Sequence, residues 1–332
     1  MDVKISAVEY FLPKKVLSNT DLERQFYGWD ADKVEKKIGI KSRHIVDENE
    51  TAMDLAYEAA IKVFKNFNKE KIDFLIFCTQ SPDYYLPSCA CILQDRLHLK
   101  TTVGAFDINQ GCSGYIYGLA VAKGLIQSKI ARHILFITAE TYTKHIYHKD
   151  KSNRTIFGDA ASATIIEKSE NRGIFEFVFG TDGSGAKNLI VPNGGLRNRY
   201  NLEEKEVEDY NGNIRTDNNL YMNGPEIFKF TIDAVPKIFS EILRVNGLDL
   251  DTVDYIIFHQ ANKYMIEYLR DKIKIPRKKF YLDLVHVGNT VSSTIPIALK
   301  ESISKTNVVK GDKILLLGFG VGYSWGGTVI QL

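Results

Sequence analysis

Three side chains in this sequence have the types that thiol-based acyl transfer needs: Cys112 in Asn109-Gln-Gly-Cys-Ser-Gly-Tyr115, His259 in Phe258-His-Gln-Ala-Asn262, and Asn289 in Gly288-Asn-Thr-Val-Ser-Ser-Thr-Ile-Pro-Ile297. A cysteine sulfur forms covalent acyl intermediates readily once it is deprotonated. Cys112 follows a strand-like run, Val103 to Ile108, and precedes Tyr115 to Ile126, which is apolar nearly all round and reads as a buried helix. A cysteine where such a helix begins meets the positive end of its dipole and unpaired backbone N–H groups, and both are expected to favour thiolate over thiol. The competing reading is a cysteine that merely packs. His259 ends an aliphatic strand, Tyr255 to His259, and Gln260-Ala-Asn262 is expected to begin a helix. That puts the imidazole at a strand's carboxyl end, where α/β proteins place their sites; otherwise it is a satisfied core histidine. Asn289 reads either as a helix N-cap or, beside a histidine, as one of two neutral donors to a developing enolate oxygen.

These residues stand at matched places in a duplicated sequence. Asp73-Phe-Leu-Ile-Phe-Cys78 parallels Asp254-Tyr-Ile-Ile-Phe-His259, and Phe157 to Ile166 parallels Phe319 to Thr328. Gly111-Cys112 and Gly288-Asn289 form a third pair, each just past an aspartate (Asp107, Asp283) and each followed by an aliphatic strand, Ile134 to Thr138 and Ile314 to Gly318. An internal repeat of this kind places equivalent loops around a shared axis, so Cys112, His259 and Asn289 are expected to converge. Helical periodicity is clear in Thr51 to Asn66 and Glu226 to Asn246, each followed by a strand. The alternation predicts an α/β protein of two duplicated halves, residues 1–170 and 171–332, with a mostly parallel sheet in each. A stretch rich in Asn, Glu, Arg and Asp, about residues 196–220, reads as an exposed insertion, either a flap over the mouth of the site or a plain solvated loop.

Composition fits a soluble globular chain: 332 residues, 44% hydrophobic and 25% charged, are enough for a large core. With 43 basic and 41 acidic residues the net charge of +2 gives no mandate for nucleic acid or membrane binding. No segment approaches the roughly 18 apolar residues of a membrane span, and Met1 opens an alternating strand rather than a basic and apolar leader, so a cytoplasmic location is expected. The four cysteines, Cys78, Cys89, Cys91 and Cys112, all lie in the first half without a CxxC pair and are expected to be free thiols. His145 and His148 form an HxxH that lacks the further ligands of a metal site and reads as solvated surface, so no metal is expected.

Taken in order, Gly39-Ile-Lys-Ser-Arg-His44, Leu86-Pro-Ser88, Gly111-Cys-Ser-Gly114, Phe157-Gly-Asp159, His259-Gln-Ala-Asn262, Gly288-Asn-Thr290 and Gly318-Phe-Gly-Val-Gly-Tyr-Ser-Trp-Gly326 resemble the β-ketoacyl-acyl-carrier-protein synthase III family nearly end to end. The resemblance implies a thiolase-like fold in a layered αβαβα arrangement, a homodimer, and a decarboxylative Claisen condensation. Cys112 would take an acyl group from acyl-coenzyme A or an acyl carrier, with its own backbone N–H and that of Val321 holding the oxyanion. Malonyl-acyl carrier protein would then lose carbon dioxide while a ring N–H of His259 and the amide of Asn289 hold the enolate, which attacks acylated Cys112. No cofactor beyond these thioester substrates is implied. Leu86, Phe157 and Phe319 would line the acyl pocket, Leu86 standing where the family often has an aromatic that reaches into the partner subunit. Lys229, Lys263, Arg270 and Lys272 would give a basic rim for the acidic carrier.

Departures from the family pattern fall at the coenzyme A site and around the pocket. The family clamps adenine between a tryptophan and an arginine; here Lys33 stands at the first position with Trp29 out of register, and around Lys151 to Arg154 only a shifted arginine remains. Lys37 belongs to the same candidate surface. Val321 replaces a glycine in the oxyanion turn. These changes suggest a specialised relative in a secondary pathway. Two rival activities are an acyltransferase that moves the acyl group to a hydroxyl, amine or sugar, and a catalytically silent partner of another synthase. A thiolase, which needs a second catalytic cysteine, is argued against because no cysteine follows Cys112. His286 ranks below His259 because only His259 occupies a duplicated strand end.

Overall fold

The computed structural model describes residues 2–209 and 212–332. The first half contains β1 (Asp2–Phe11), β2 (Lys15–Ser18), α1 (Asn19–Gln25), α2 (Ala31–Ile38), β3 (Ser42–Ile45), α3 (Ala52–Phe64), β4 (Phe74–Cys78), α4 (Cys89–Arg96), β5 (Gly104–Ile108), α5 (Gly114–Gln127), β6 (His133–Glu140), α6 (Lys151–Ile156) and β7 (Ala160–Ser169). The second contains β8 (Val178–Thr181), β9 (Leu189–Ile190), β10 (Val207–Glu208), β11 (Ile214–Arg215), β12 (Tyr221–Met222), α7 (Gly224–Asn246), β13 (Tyr255–Phe258), α8 (Lys263–Ile273), α9 (Thr294–Lys305), β14 (Lys313–Gly320) and β15 (Ser324–Gln331). The periodic runs become helices within a few residues of the expected ends, and their caps explain where they stop. Thr51 and Asp54 form a capping box at the start of α3, and Asn223 accepts the Glu226 N–H at the start of α7, which ends at Gly247 in the left-handed conformation.

The two halves repeat one strand order. The first sheet runs β1-β7-β6-β4-β5 and the second β8-β15-β14-β13. The expected parallel pairing holds among β5, β4 and β6 and between β13 and β14, the strands nearest the site. Each sheet is then extended by antiparallel strands, β7 and β1 in one, β15 and β8 in the other, so both are mixed. A three-residue connection joins β14 to β15, and so short a link permits only antiparallel neighbours. The second sheet's equivalent of β5 has shrunk to one bridge, Ile256 with Phe280. The matched aspartates before β4 and β13 do the same work: Asp73 accepts the backbone N–H groups of Arg132 and His133, and Asp254 accepts that of Lys313, each pinning the start of the next strand in its sheet.

The layers follow from which faces are apolar. Helices α3 and α4 cover the outer face of the first sheet, α5 and α9 lie between the sheets, and α7 covers the outer face of the second with α8 beside it, giving an αβαβα sandwich. The apolar, all-round character of Tyr115 to Ile126 is explained by this placement, since α5 is buried between two sheets through Tyr115, Ile116, Leu119, Ala122 and Ile126.

Candidate active site

Every side chain of the expected triad sits just beyond the carboxyl end of a parallel strand or its remnant. Cys112 lies between β5 and α5, His259 directly after β13, and Asn289 between the Phe280 bridge and α9. All three line one cavity of about 1140 Å³ together with Phe157, Phe319 and Gly320. The helices open later than expected. Gln260 and Ala261 form a turn and α8 starts at Lys263 with Asn262 as its N-cap; past Asn289 a 3-10 turn, Val291 to Ser293, precedes α9.

Cys112 is held from two sides. The Ser113 hydroxyl meets the Ser324 hydroxyl at 2.7 Å, and Ser324 in turn donates to the Val321 carbonyl at 2.8 Å, tying the start of α5 to the turn between β14 and β15. Gly320 runs so close to Cys112 that a Cβ there would lie 2.7 Å from both its Cβ and its Sγ, which is why the strand must end in glycine. The backbone N–H groups of Val321 and of Cys112 itself reach the sulfur. They do not make it a thiolate in the resting protein. Burial pushes the Cys112 thiol up to about 12, with the nearby Glu140 carboxylate adding to it, so the expectation of a dipole-stabilised thiolate is overturned by desolvation of a residue that is only 5% exposed. Glu140 itself is fully buried, accepts from the Gln80 backbone and the Ser81 and Ser292 hydroxyls, and is raised by burial to about 8.

His259 is equally desolvated. Burial lowers its imidazole to about 3, so the ring is neutral. Its Nδ1 lies 2.7 Å from the Thr294 hydroxyl, and its ring stands perpendicular to the Phe319 ring with the centroids 5.7 Å apart. Asn289 is clamped by backbone: its N–H donates to the Ile156 carbonyl and its carbonyl accepts from Gly158, while Gly288 before it adopts φ +70° where a Cβ would strike the Ile156 carbonyl at 2.8 Å. Its Oδ1 accepts the Val291 N–H at 2.9 Å, which leaves the amide NH₂ as the free donor. The expected N-cap role is not found, since Thr290 caps the 3-10 turn and Ser293 caps α9; Asn289 instead closes a local turn to Val291 that leaves its amide for donation. His286 lies outside the cavity lining and its Nδ1 meets the Ser42 hydroxyl.

The remaining candidates divide. Phe157 and Phe319 line the cavity, but Leu86 does not; it is 82% exposed on a loop with exposed Tyr84 and Tyr85, because its loop leaves the chain's own core. At the mouth, Trp29, Lys37 and Lys151 line the opening. Lys33 does not, and its ammonium pairs with Asp30; Arg154 is drawn away to Gln25, the His148 carbonyl and the Phe26 ring. The carrier rim is dispersed as well. Lys229 lines a separate surface groove behind α7, Lys272 donates to the Ile232 carbonyl, and Arg270 is engaged by Glu267 and Asp271; Lys263, exposed as Lys229 and Lys272 are, is the one of the four next to the Tyr264 and Met265 lining. The insertion is more than a solvated loop: β10 and β11 form a hairpin, and Asp209, Asn213 and Arg215 line the mouth, Arg215 stacking over Tyr221 at 4.5 Å. His145 is packed rather than solvated, edge-on to Tyr142 and bonded to the Gln80 carbonyl. Thr294, Gly320 and Glu140 are not singled out by sequence: Thr294 and Gly320 lie inside motifs read for their neighbours, Glu140 in no motif, and only the fold brings them to Cys112 and His259.

Comparison with known proteins agrees with this geometry. The family described as 3-oxoacyl-[acyl-carrier-protein (ACP)] synthase III matches residues 106–183, and its C-terminal counterpart matches residues 243–332. A β-ketoacyl-[acyl-carrier-protein] synthase III of Caldanaerobacter subterraneus subsp. tengcongensis is 38% identical over 97% of this chain and 95% of that protein. Among solved structures, a 3-oxoacyl-(acyl-carrier-protein) synthase III superposes with a TM-score of 0.98 at 46% identity over 100% of both chains. The 3-oxoacyl-(acyl-carrier protein) synthase of Burkholderia xenovorans LB400 does so at 0.91 and 34% identity, covering 100% of this chain and 94% of that one. The chain belongs to the β-ketoacyl-acyl-carrier-protein synthase III family, with its thiolase-like fold.

Proposed function

We propose that the protein catalyses decarboxylative condensation of an acyl thioester with malonyl-acyl carrier protein to a 3-oxoacyl-acyl carrier protein, through an acyl-Cys112 intermediate. The observation that carries this is the meeting of Cys112, His259 and Asn289 in one cavity, with the Val321 and Cys112 N–H groups directed at the sulfur. Those two N–H groups are the oxyanion donors of the acylation step. The Asn289 amide, freed for donation by the Val291 bond to its Oδ1, and the imidazole of His259 hold the malonyl enolate. The cavity volume suits an acyl chain plus a pantetheine arm. Phe157 and Phe319 bound the acyl end, while Trp29, Lys37 and Lys151 offer aromatic and cationic contacts at the mouth that differ from the family's clamp. The carrier approaches past Lys263. Two copies of the chain, each built of the halves 1–170 and 171–332, work as a homodimer in the cytoplasm, where free cysteines are stable.

Two variants test the assignment of steps. Cys112→Ser is expected to abolish transient acylation from acyl-coenzyme A. Asn289→Ala is expected to acylate normally and to release carbon dioxide from malonyl-acyl carrier protein about 10²- to 10³-fold more slowly. Undiminished decarboxylation by Asn289→Ala would remove its enolate role, and an acyl-enzyme that discharges only to an alcohol, amine or sugar would establish acyl transfer instead.

A further inference from the structure

We infer that Thr294 is a positioning residue that fixes His259 as its Nδ1–H tautomer, leaving Nε2 as the atom that accepts the Cys112 proton. Val291 is a buried β-branched residue held at φ +55°, where side chains of this type are rarely found. Both ends of its peptide are used. Its N–H donates to Asn289 Oδ1 at 2.9 Å, and its carbonyl accepts the Thr294 N–H and, at 3.0 Å, the Thr294 hydroxyl. Thr294 opens α9, where a hydroxyl bond to the carbonyl three residues back is a common local arrangement.

A hydroxyl has one proton to give. With it directed to Val291, Thr294 Oγ1 offers a lone pair to His259 Nδ1 at 2.7 Å, so Nδ1 is the nitrogen that bears hydrogen. The reverse assignment would set two acceptor oxygens 3.0 Å apart with no proton between them. Nε2 is bonded to no other group among the described residues, and it completes the imidazole that lines the cavity with Cys112. One strained residue thus orients both groups: Asn289 through its N–H, and His259 through its carbonyl by way of Thr294.

The assignment changes what His259 can do at each stage. Neutral His259 has no Nε2–H for an enolate. That hydrogen comes from Cys112: the S–H bond breaks, its electron pair stays on sulfur, and the proton forms the Nε2–H bond of an imidazolium. Sulfur attacks the acyl carbon, the old C–S bond leaves with its pair as a thiolate, and water protonates that thiolate. The malonyl carboxylate and then the enolate, both anionic, offset the burial that otherwise keeps the ring neutral, so His259 carries both ring hydrogens while malonyl thioester loses carbon dioxide. When the enolate carbon displaces Cys112 from the acyl group, Nε2 returns its proton to the sulfur. The second half of this sequence rests on the condensation proposed above; the tautomer does not.

The experiment is ¹⁵N–¹H long-range correlation on the full protein labelled at histidine nitrogens, with His259 assigned by its loss in His259→Asn, alongside the rate of Cys112 acylation by acyl-coenzyme A. A protonated Nδ1 and an unprotonated Nε2 are expected in the resting protein. Thr294→Val should move the ring to the other tautomer or a mixture and slow acylation by about tenfold to a hundredfold, while Thr294→Ser keeps both tautomer and most of the rate. A resting Nε2–H ring, or a Thr294→Val protein with unchanged tautomer and acylation, would overturn the inference. Should Thr294→Val fail to fold, the wild-type and Thr294→Ser spectra still decide it. The expected tautomer in a protein that acylates yet never decarboxylates malonyl thioester would sink the condensation and leave the inference standing.

Discussion

Cys112 and His259 are kept neutral by the same force acting in opposite directions, burial raising the thiol to about 12 and lowering the imidazole to about 3. A thiol held above its ordinary value needs a proton acceptor before its sulfur can attack a thioester. Because the folded thiol lies above its ordinary value, thiolate appears only as pH rises well beyond neutrality. Iodoacetamide labelling of Cys112, followed by peptide mass spectrometry, should therefore be slow at pH 7 and climb through pH 9 to 10, whereas exposed Cys91 labels readily. Fast, pH-independent labelling of Cys112 from pH 6 would contradict this. Local pattern marks Cys112, His259 and Asn289 as candidates, because a glycine-flanked cysteine, a strand-end histidine and a turn asparagine have recognisable signatures, and the fold brings the three to one cavity; the same pattern carries nothing about their protonation. A helix start argues for thiolate, but desolvation depends on how many atoms from distant segments close over the sulfur, and those come from β14 and its turn.

Elements bring these groups together by repetition. β4 and β13, β6 and β14, β7 and β15, and α5 and α9 occupy matching places, so the loops that carry Cys112 and Asn289 are equivalents, as are the ends of β4 and β13 that carry Cys78 and His259. The repeat was legible in the matched aspartates and aliphatic runs, which have the same strand-pinning role in each half. Pairing direction was less so, because an antiparallel extension such as β15 reads in sequence much like one more buried strand. The terminal glycine of β14 is where element and site meet. Gly320→Ala would drive a methyl group into Cys112 Cβ and Sγ at 2.7 Å. The expected result is a folded protein, destabilised by about 1–3 kcal/mol in chemical denaturation, whose Cys112 acylates at least about tenfold more slowly for every 1.4 kcal/mol of misplacement in the transition state. Wild-type acylation by Gly320→Ala would show that the close approach of β14 does not position the nucleophile.

Across the whole molecule, the first sheet ends in β5, an edge strand whose outer side pairs with nothing among the described residues, and beside it Tyr84, Tyr85 and Leu86 stand largely exposed. An unpaired edge next to exposed apolar side chains invites pairing with a second chain. Sedimentation equilibrium should give twice the chain mass, and Leu86→Asp should weaken the dimer or alter acyl-chain preference; a wild-type monomer at micromolar concentration would contradict the assembly. No helix among the described residues is long and apolar enough to cross a membrane. The polar insertion illustrates the limit of linear reading at this scale: its composition says only that it is solvated, while the position of Asn213 and Arg215 at the cavity mouth depends on the hairpin that β10 and β11 form. The claim that unites the three scales is that one cavity acylates Cys112 and then condenses that acyl group with a malonyl-derived enolate. Intact-protein mass spectrometry after brief exposure to a panel of acyl-coenzyme A thioesters, followed by a chase with malonyl-acyl carrier protein, tests it most directly. A mass increase mapped to Cys112 should vanish on the chase as carbon dioxide and a 3-oxoacyl carrier appear together; an adduct on another residue, or one that the malonyl chase leaves in place, would contradict condensation at this cavity.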